Sequence, residues 1–197
     1  MAEQNDGIAI RMTNPERVLF EDLIKGKTYY LEYGCGGSTE VAVAAGVKRI
    51  ISVESDAKWI EQLKEKETLA AAVKSNRLQF LHADIGPVGA WGVPSDMSGV
   101  KRWPNYALLP FTRFDYPYDV ILIDGRFRRL CAYVAWAMML DGARLAIHDY
   151  TLRGFYSEVE KFFEVVDVAD SLAVFKRKAG VVPRTMVQSV IGAVLEP

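Results

Sequence analysis

Short apolar runs alternate with longer amphipathic stretches along most of this chain. "TYYLEY", from Thr28, predicts a first strand and "STEVAVAAG" a helix; "RIISVES" predicts a second strand and "DAKWIEQLKEKETLAAAV" one long helix. "RLQFLHAD" and "YDVILID" supply strands three and four. "RFRRLCAYVAWAMML" then reads as a helix stopped by Gly142, "ARLAIHDY" as strand five and "GFYSEVEKFF" as a further helix. Ahead of all these, "TNPERVLFEDLIKG" carries helix signals. Asn14 can cap, Pro15 suits the first helical position, Gly26 closes the helix, and Val18, Leu19, Leu23 and Ile24 form one apolar face.

Strand, helix, strand in repetition demands right-handed crossovers and a parallel sheet covered on both faces. The end of the chain departs from that rule. "EVVDVADSLAVFKRK" holds two strand-like runs split only by Asp170 and Ser171, with no room for a crossover helix, so the last strand must run antiparallel to its neighbour. The expected fold is α/β: a doubly wound, mostly parallel seven-stranded sheet with an antiparallel terminal strand. Residues 1–27 would form an N-terminal helix packed on a core of residues 28–178. Residues 179–197 would be a tail that serves as a docking helix or as a contact in a homo-oligomer.

One segment resists the alternation. Residues 85–118 hold five of the eight prolines (Pro87, Pro94, Pro104, Pro110, Pro117) together with Trp91, Trp103, Tyr106, Phe111, Phe114, Tyr116 and Tyr118. A connection this long inside a compact domain is functional or disordered, and so many aromatics argue for order. It is expected to be an inserted lid or substrate wall.

Composition narrows the classes. With 197 residues, half of them apolar, one domain with a full core is expected. A formal net charge of -1 provides no field to steer nucleic acid or an anionic membrane. No apolar run reaches the roughly 18 residues needed to span a bilayer. "MAEQNDGIAIRM" lacks the charged start and apolar core of a secretory signal, so the expected location is cytoplasmic. Cys35 and Cys131, far apart and outside any CxxC spacing, are expected to be reduced thiols.

The candidate chemistry begins at the end of the first strand. Gly34, Gly36 and Gly37 let backbone N–H groups approach a ligand, and Ser38 or Thr39 can cap the helix that follows. Glu54 ends the second strand about 20 residues later, the spacing at which a carboxylate can accept hydrogen bonds from a ribose diol. Loop and acid together read as a nucleoside site. The dinucleotide pattern G-x-G-x-x-G would require glycine where Thr39 stands, which disfavours NAD and FAD.

"LEYGCGGST" resembles motif I of the class I S-adenosylmethionine-dependent methyltransferases, "VES" resembles their ribose-binding acid, and "HAD" after strand three their adenine-contacting acid. The terminal hairpin is similar to their reversed seventh strand, and the likeness runs from Tyr29 to Lys178. It implies S-adenosylmethionine as cofactor. Glu32 and the loop of Gly34, Cys35, Gly36, Gly37 and Ser38 would hold its methionine portion, Glu54 and Ser55 its ribose, and Asp84 its adenine amino group, with Ile85 nearby. Trp59 could wall the adenine or pack in the core.

The reacting groups would lie at the ends of strands four and five, where Asp124 in "ILIDGR" and His148 with Asp149 in "LAIHDY" stand. The layout is similar to metal-assisted O-methyltransferases, in which Asp124 and Asp149 would bind a divalent cation that lowers the pKa of the acceptor hydroxyl. His148 could instead be a general base, or be hydrogen-bonded within the sheet. Arg126 and Arg129, taken as i and i+3 of one helix, would meet an anionic part of the acceptor or form a solvated helix start. The asparagine–proline tetrapeptide of amino-directed enzymes is absent, and "IDGR" stands in its place. That points to a small-molecule or sugar hydroxyl as acceptor. Two other readings remain at this level: a cofactor-binding protein without catalysis, and a nicotinamide-dependent oxidoreductase, the latter disfavoured by Thr39 and the terminal hairpin.

Overall fold

The computed structural model of the protein describes residues 10–197, so the first part of "MAEQNDGIAIRM" lies outside the described residues. Seven strands form one sheet: β1 (Tyr29–Tyr33), β2 (Arg49–Glu54), β3 (Leu78–His82), β4 (Val120–Ile123), β5 (Arg144–Ile147), β6 (Phe163–Ala169) and β7 (Leu172–Arg177). Their order is β3-β2-β1-β4-β5-β7-β6. All neighbours from β3 to β5 pair in parallel, and β7 inserts antiparallel between β5 and β6. Strand order therefore reverses between β1 and β4, and the crevice beyond Tyr33 and Ile123 is the switch point at which such sheets bind ligands.

Alternation with period two divides the core. Leu31, Tyr33, Ile51, Val53, Ile121 and Ile123 pack on one face of the sheet, and Tyr30, Ile50, Val120, Leu122 and Ala146 on the other. Both faces are covered, by helices α1 (Asn14–Ile24), α2 (Gly37–Ala44), α3 (Ala57–Lys64), α4 (Glu67–Lys74), α5 (Pro104–Arg113), α6 (Arg128–Met138) and α7 (Val187–Ala193).

The local expectations need four adjustments. The cap of α1 is Thr13, not Asn14: Thr13 is extended, its hydroxyl accepts from the Glu16 N–H, and Glu16 reaches back to the Thr13 N–H at 2.8 Å. The expected single long helix is two, because Lys66 is extended. Continuing straight past Leu63 would turn Glu67 to the core, whereas the break re-phases Leu69 and Ala72 onto the sheet. The stretch "GFYSEVEKFF" winds as a 3-10 turn over Gly154–Lys161. Ten residues of the proline-rich segment form an α-helix: α5, begun by Pro104 and packed on α6, buries Tyr106, Ala107 and Pro110. The tail docks α7 against α6, with Met186 and Ala193 buried. Among the described residues no helix is long and apolar enough to cross a membrane.

Candidate functional site

The strand ends β1 and β4 meet glycine to glycine. A Cβ on Gly34, where φ is +86°, would lie 2.8 Å from the Gly125 Cα, and one on Gly125 would lie 2.1 Å from the Tyr106 hydroxyl. No side chain fits at either position, so bare backbone floors the crevice.

Beneath the loop lies Glu32, wholly buried. Burial pushes its pKa up, opposed by hydroxyls that donate to it: Thr39 at 2.5 Å, Ser38 at 2.7 Å, Tyr30 at 3.0 Å and Ser52. Thr39 also accepts from the Gly36 N–H at 3.0 Å. The residue whose presence argued against a dinucleotide is thus the peg that fixes the loop.

Glu54 is likewise buried, with its two oxygens unequally engaged. Its Oε1 accepts from the Ser55 N–H at 2.6 Å and the Asp56 N–H at 3.0 Å, while Oε2 faces the Cys35 thiol at 3.8 Å. Burial pushes the Cys35 thiol pKa well up, and both cysteines are free. Trp59 donates from Nε1 to the Cys35 carbonyl at 2.8 Å, so it orients the loop as well as lining the crevice.

The crevice is a cavity of about 810 Å³, within the range of small-molecule sites. Gly34 to Ser38, Glu54, Asp56, Trp59, Asp124, Gly125 and Arg126 line it, and Ile10, Arg11, Met12, Trp91 and Gly92 form its outer wall. Trp91 and Gly92 come from the proline-rich segment, and the Arg11 guanidinium stacks 4.4 Å over the Trp91 ring. Nothing in the sequence pattern singled out Arg11, while the glycine after strand four was the available sign of Gly125.

Other expected contacts lie elsewhere. Ser55 is buried under Gly92, whose carbonyl accepts from its hydroxyl at 3.0 Å. Asp84 turns outward, ion-paired with Arg102 and accepting from the Gly86 N–H at 3.0 Å. Ile85 is in the core, and its carbonyl accepts from Trp103. Neither Asp84 nor Ile85 lines the cavity.

A charged network runs back from the cavity wall. His148 is clamped: Nδ1 lies 3.0 Å from Asp124 Oδ1 and 3.6 Å from Asp149, and Nε2 lies 3.4 Å from Glu16 Oε2. Burial pulls the His148 pKa down, but the hydrogen bond to Asp124 and the charges of Asp124, Asp149 and Glu16 raise it overall. Asp124, His148 and Asp149 offer donor atoms within 4.8 Å of one another, the spacing of a metal site. Yet the buried Arg128 guanidinium already lies 3.2 Å from Asp124 and 3.1 Å from Asp149, and it donates to the carbonyls of Gly125 and His148. With that cation between the carboxylates, these residues do not fit a divalent ion.

The two singled-out arginines part company. α6 begins at Arg128 after Phe127 at φ +53°, so Arg126 precedes the helix. Arg129 is held by Glu158 at 2.8 Å and by Glu196.

No protein-family model matches the sequence, and no curated protein matches it. Solved structures do. The chain is similar to a methyltransferase-like protein from Silicibacter pomeroyi DSS-3, 28% identical over 97% of this chain and 99% of that one, with a TM-score of 0.83. A cofactor-bound protein from MTB (15% identity, 86% and 83% covered, TM-score 0.55) and a methyltransferase from Geobacter sulfurreducens (11%, 85% and 80%, TM-score 0.53) share the fold. Strand order, the reversed β7 and these neighbours place the chain, by fold, among the class I methyltransferase-like proteins.

Proposed function

We propose that the protein is an S-adenosylmethionine-dependent methyltransferase acting on a hydroxyl of a small-molecule or sugar acceptor. One observation carries the reading: a cavity at the switch point that joins a side-chain-free floor to a buried carboxylate whose Oε2 meets only the long contact from the Cys35 thiol. These residues fit the cofactor. The N–H groups of Cys35, Gly37 and Ser38 would hold its amino-acid end, the Gly36 N–H being taken by Thr39, and Glu54 Oε2 would accept from its ribose hydroxyls. Bound there, S-adenosylmethionine supplies an electrophilic methyl group on a sulfonium.

The rest is positioning. Asp124 lines the cavity, and with Oδ1 held by His148 and Arg128 its Oδ2 is the oxygen left to accept the hydroxyl proton of an acceptor. His148 and Asp149 then act through Asp124, fixing its orientation. Titration calorimetry with S-adenosylmethionine, S-adenosylhomocysteine and NAD tests the cofactor. The first two should bind, with at least roughly tenfold loss in Glu54→Ala; binding of NAD alone would overturn the assignment. The clamp on both His148 nitrogens favours one other reading, a cofactor-binding protein without turnover. Methyl transfer that falls in Asp124→Asn would exclude it.

A further inference from the structure

Beside the cofactor cavity opens a second one, of about 320 Å³. Gly125 and Arg126 belong to the walls of both, so the two spaces adjoin across the turn that follows β4. Four arginines line the smaller cavity: Arg126, Arg128, Arg129 and Arg153. Two are spent, Arg128 on Asp124 and Asp149, and Arg129 on Glu158 and Glu196.

The other two are not. Among the described residues neither Arg126 nor Arg153 forms an ion pair, and the buried Nε of Arg126 has no hydrogen-bond partner. A buried donor left without an acceptor is uncommon and is explained when a ligand supplies one. The rest of the wall holds Gly125, Phe127, Phe155, Tyr156, Pro197 and one carboxylate, Glu196, which is neutralised by Arg129. Phe155 and Tyr156 meet edge to face with centroids 4.5 Å apart, and the Arg153 guanidinium lies 5.9 Å from the Tyr156 ring.

We propose that this cavity is the acceptor subsite, and that it takes a small anion, a carboxylate or phosphate ester carried on a flat apolar body. Arg126 and Arg153 hold the anionic group, and Phe155 and Tyr156 pack against the body. The acceptor role rests on the methyltransferase reading; the anion site itself does not. Arg126, on the shared wall, brings the anionic end next to Asp124 and the cofactor cavity.

The test is calorimetry of the whole protein with phenyl phosphate, benzoate and, as the neutral counterpart, benzyl alcohol, with S-adenosylhomocysteine measured separately. The two anions should bind at one site, and benzyl alcohol roughly tenfold or more weakly. Arg126→Gln and Arg153→Gln should each weaken phenyl phosphate by roughly tenfold, since each removes a charge-assisted hydrogen bond. Arg153 is exposed and outside the cofactor cavity, so Arg153→Gln should keep the wild-type affinity for S-adenosylhomocysteine. Equal binding of neutral and anionic probes, or unchanged anion binding in both variants, would overturn the proposal. Failure of S-adenosylhomocysteine to bind the wild type, with the phenyl phosphate pattern intact, would sink the cofactor reading and leave the anion site standing.

Discussion

Glu16→Gln tests whether the charged network holds the fold together. The Glu16 carboxylate accepts from the Thr13 N–H and the Ser171 N–H, each at 2.8 Å, and from the Ser171 hydroxyl, with His148 Nε2 at 3.4 Å. One side chain thus ties α1 to the turn before β7 and to the end of β5. Burial would raise its pKa, but the bonds from Ser171 and Thr13 and the charge of His148 outweigh it and lower the pKa from 4.5 to about 2. At about 1.4 kcal/mol per pKa unit, that gap corresponds to about 3 kcal/mol of stability. Because the folded pKa is depressed, this contribution is complete above pH 4.5 and is lost as pH falls toward 2. The glutamine amide keeps one acceptor but turns N–H groups toward the donors that the second oxygen served. The variant should lose about 3 kcal/mol at pH 7, lowering the melting temperature by roughly 6–12 °C for a chain of this size. Urea unfolding across pH 3 to 8 would show it. The acid limb of the stability curve should flatten, and so should the alkaline limb: the raised pKa of His148 gives stability that is present below pH 6.5 and lost as pH rises through the folded value, and Glu16 is one of the charges that raise it. A variant with the wild-type urea midpoint at pH 7 and the wild-type slope below pH 4.5 would refute the reasoning.

Arg128→Gln should destabilise by about 3–5 kcal/mol, since it removes the buried guanidinium that pairs with both Asp124 and Asp149. The same change frees three metal-type donors, so manganese should raise the melting temperature of the variant and leave that of the wild type unmoved. Thr39→Val should cost about 1–3 kcal/mol in urea unfolding, because the Gly36 N–H loses its acceptor and Glu32 a donor; Thr39→Ser should recover most of it. Gly125→Ala places a methyl 2.1 Å from the Tyr106 hydroxyl and 2.7 Å from the Gly34 N, so the loop must shift and S-adenosylhomocysteine should bind more weakly by calorimetry.

The sheet was legible because its information is local. β1, β2, β4 and β5 are short apolar runs buried on both faces, the edge strand β3 is half-exposed yet still marked by Leu78, Phe80 and Leu81, and the lack of room between the last two runs fixed the direction of β7. The break between α3 and α4 was not legible. Ala, Leu, Glu and Lys suit a continuous helix across it, and only the sheet beneath makes re-phasing after Leu63 worthwhile. α5 was hidden for a related reason. Pro104 starts it and Pro110 sits inside it, so a segment that looks like punctuation folds as a helix once α6 packs against it.

The site divides along the same line. The glycine loop and Glu54 stand where strand ends put them, and spacing alone specifies that. Asp84 has the same local credentials, yet Arg102 pairs with it and draws it away from the cavity, a partner that no spacing encodes. The arginines make the point most sharply. Arg126, Arg128 and Arg129 are one residue type within four positions, and a helix starting at Arg126 would put the first and third on one face. Phe127 in the left-handed region delays the helix to Arg128, and that single backbone choice gives the three different fates. Arg128 turns inward to the carboxylates, Arg129 turns to Glu158 and Glu196, and Arg126 is left between two cavities with a donor to offer. The charge available to a ligand is therefore set by one turn of backbone, which is why charge reversal at Arg129 should perturb the docking of the tail before it perturbs any anion.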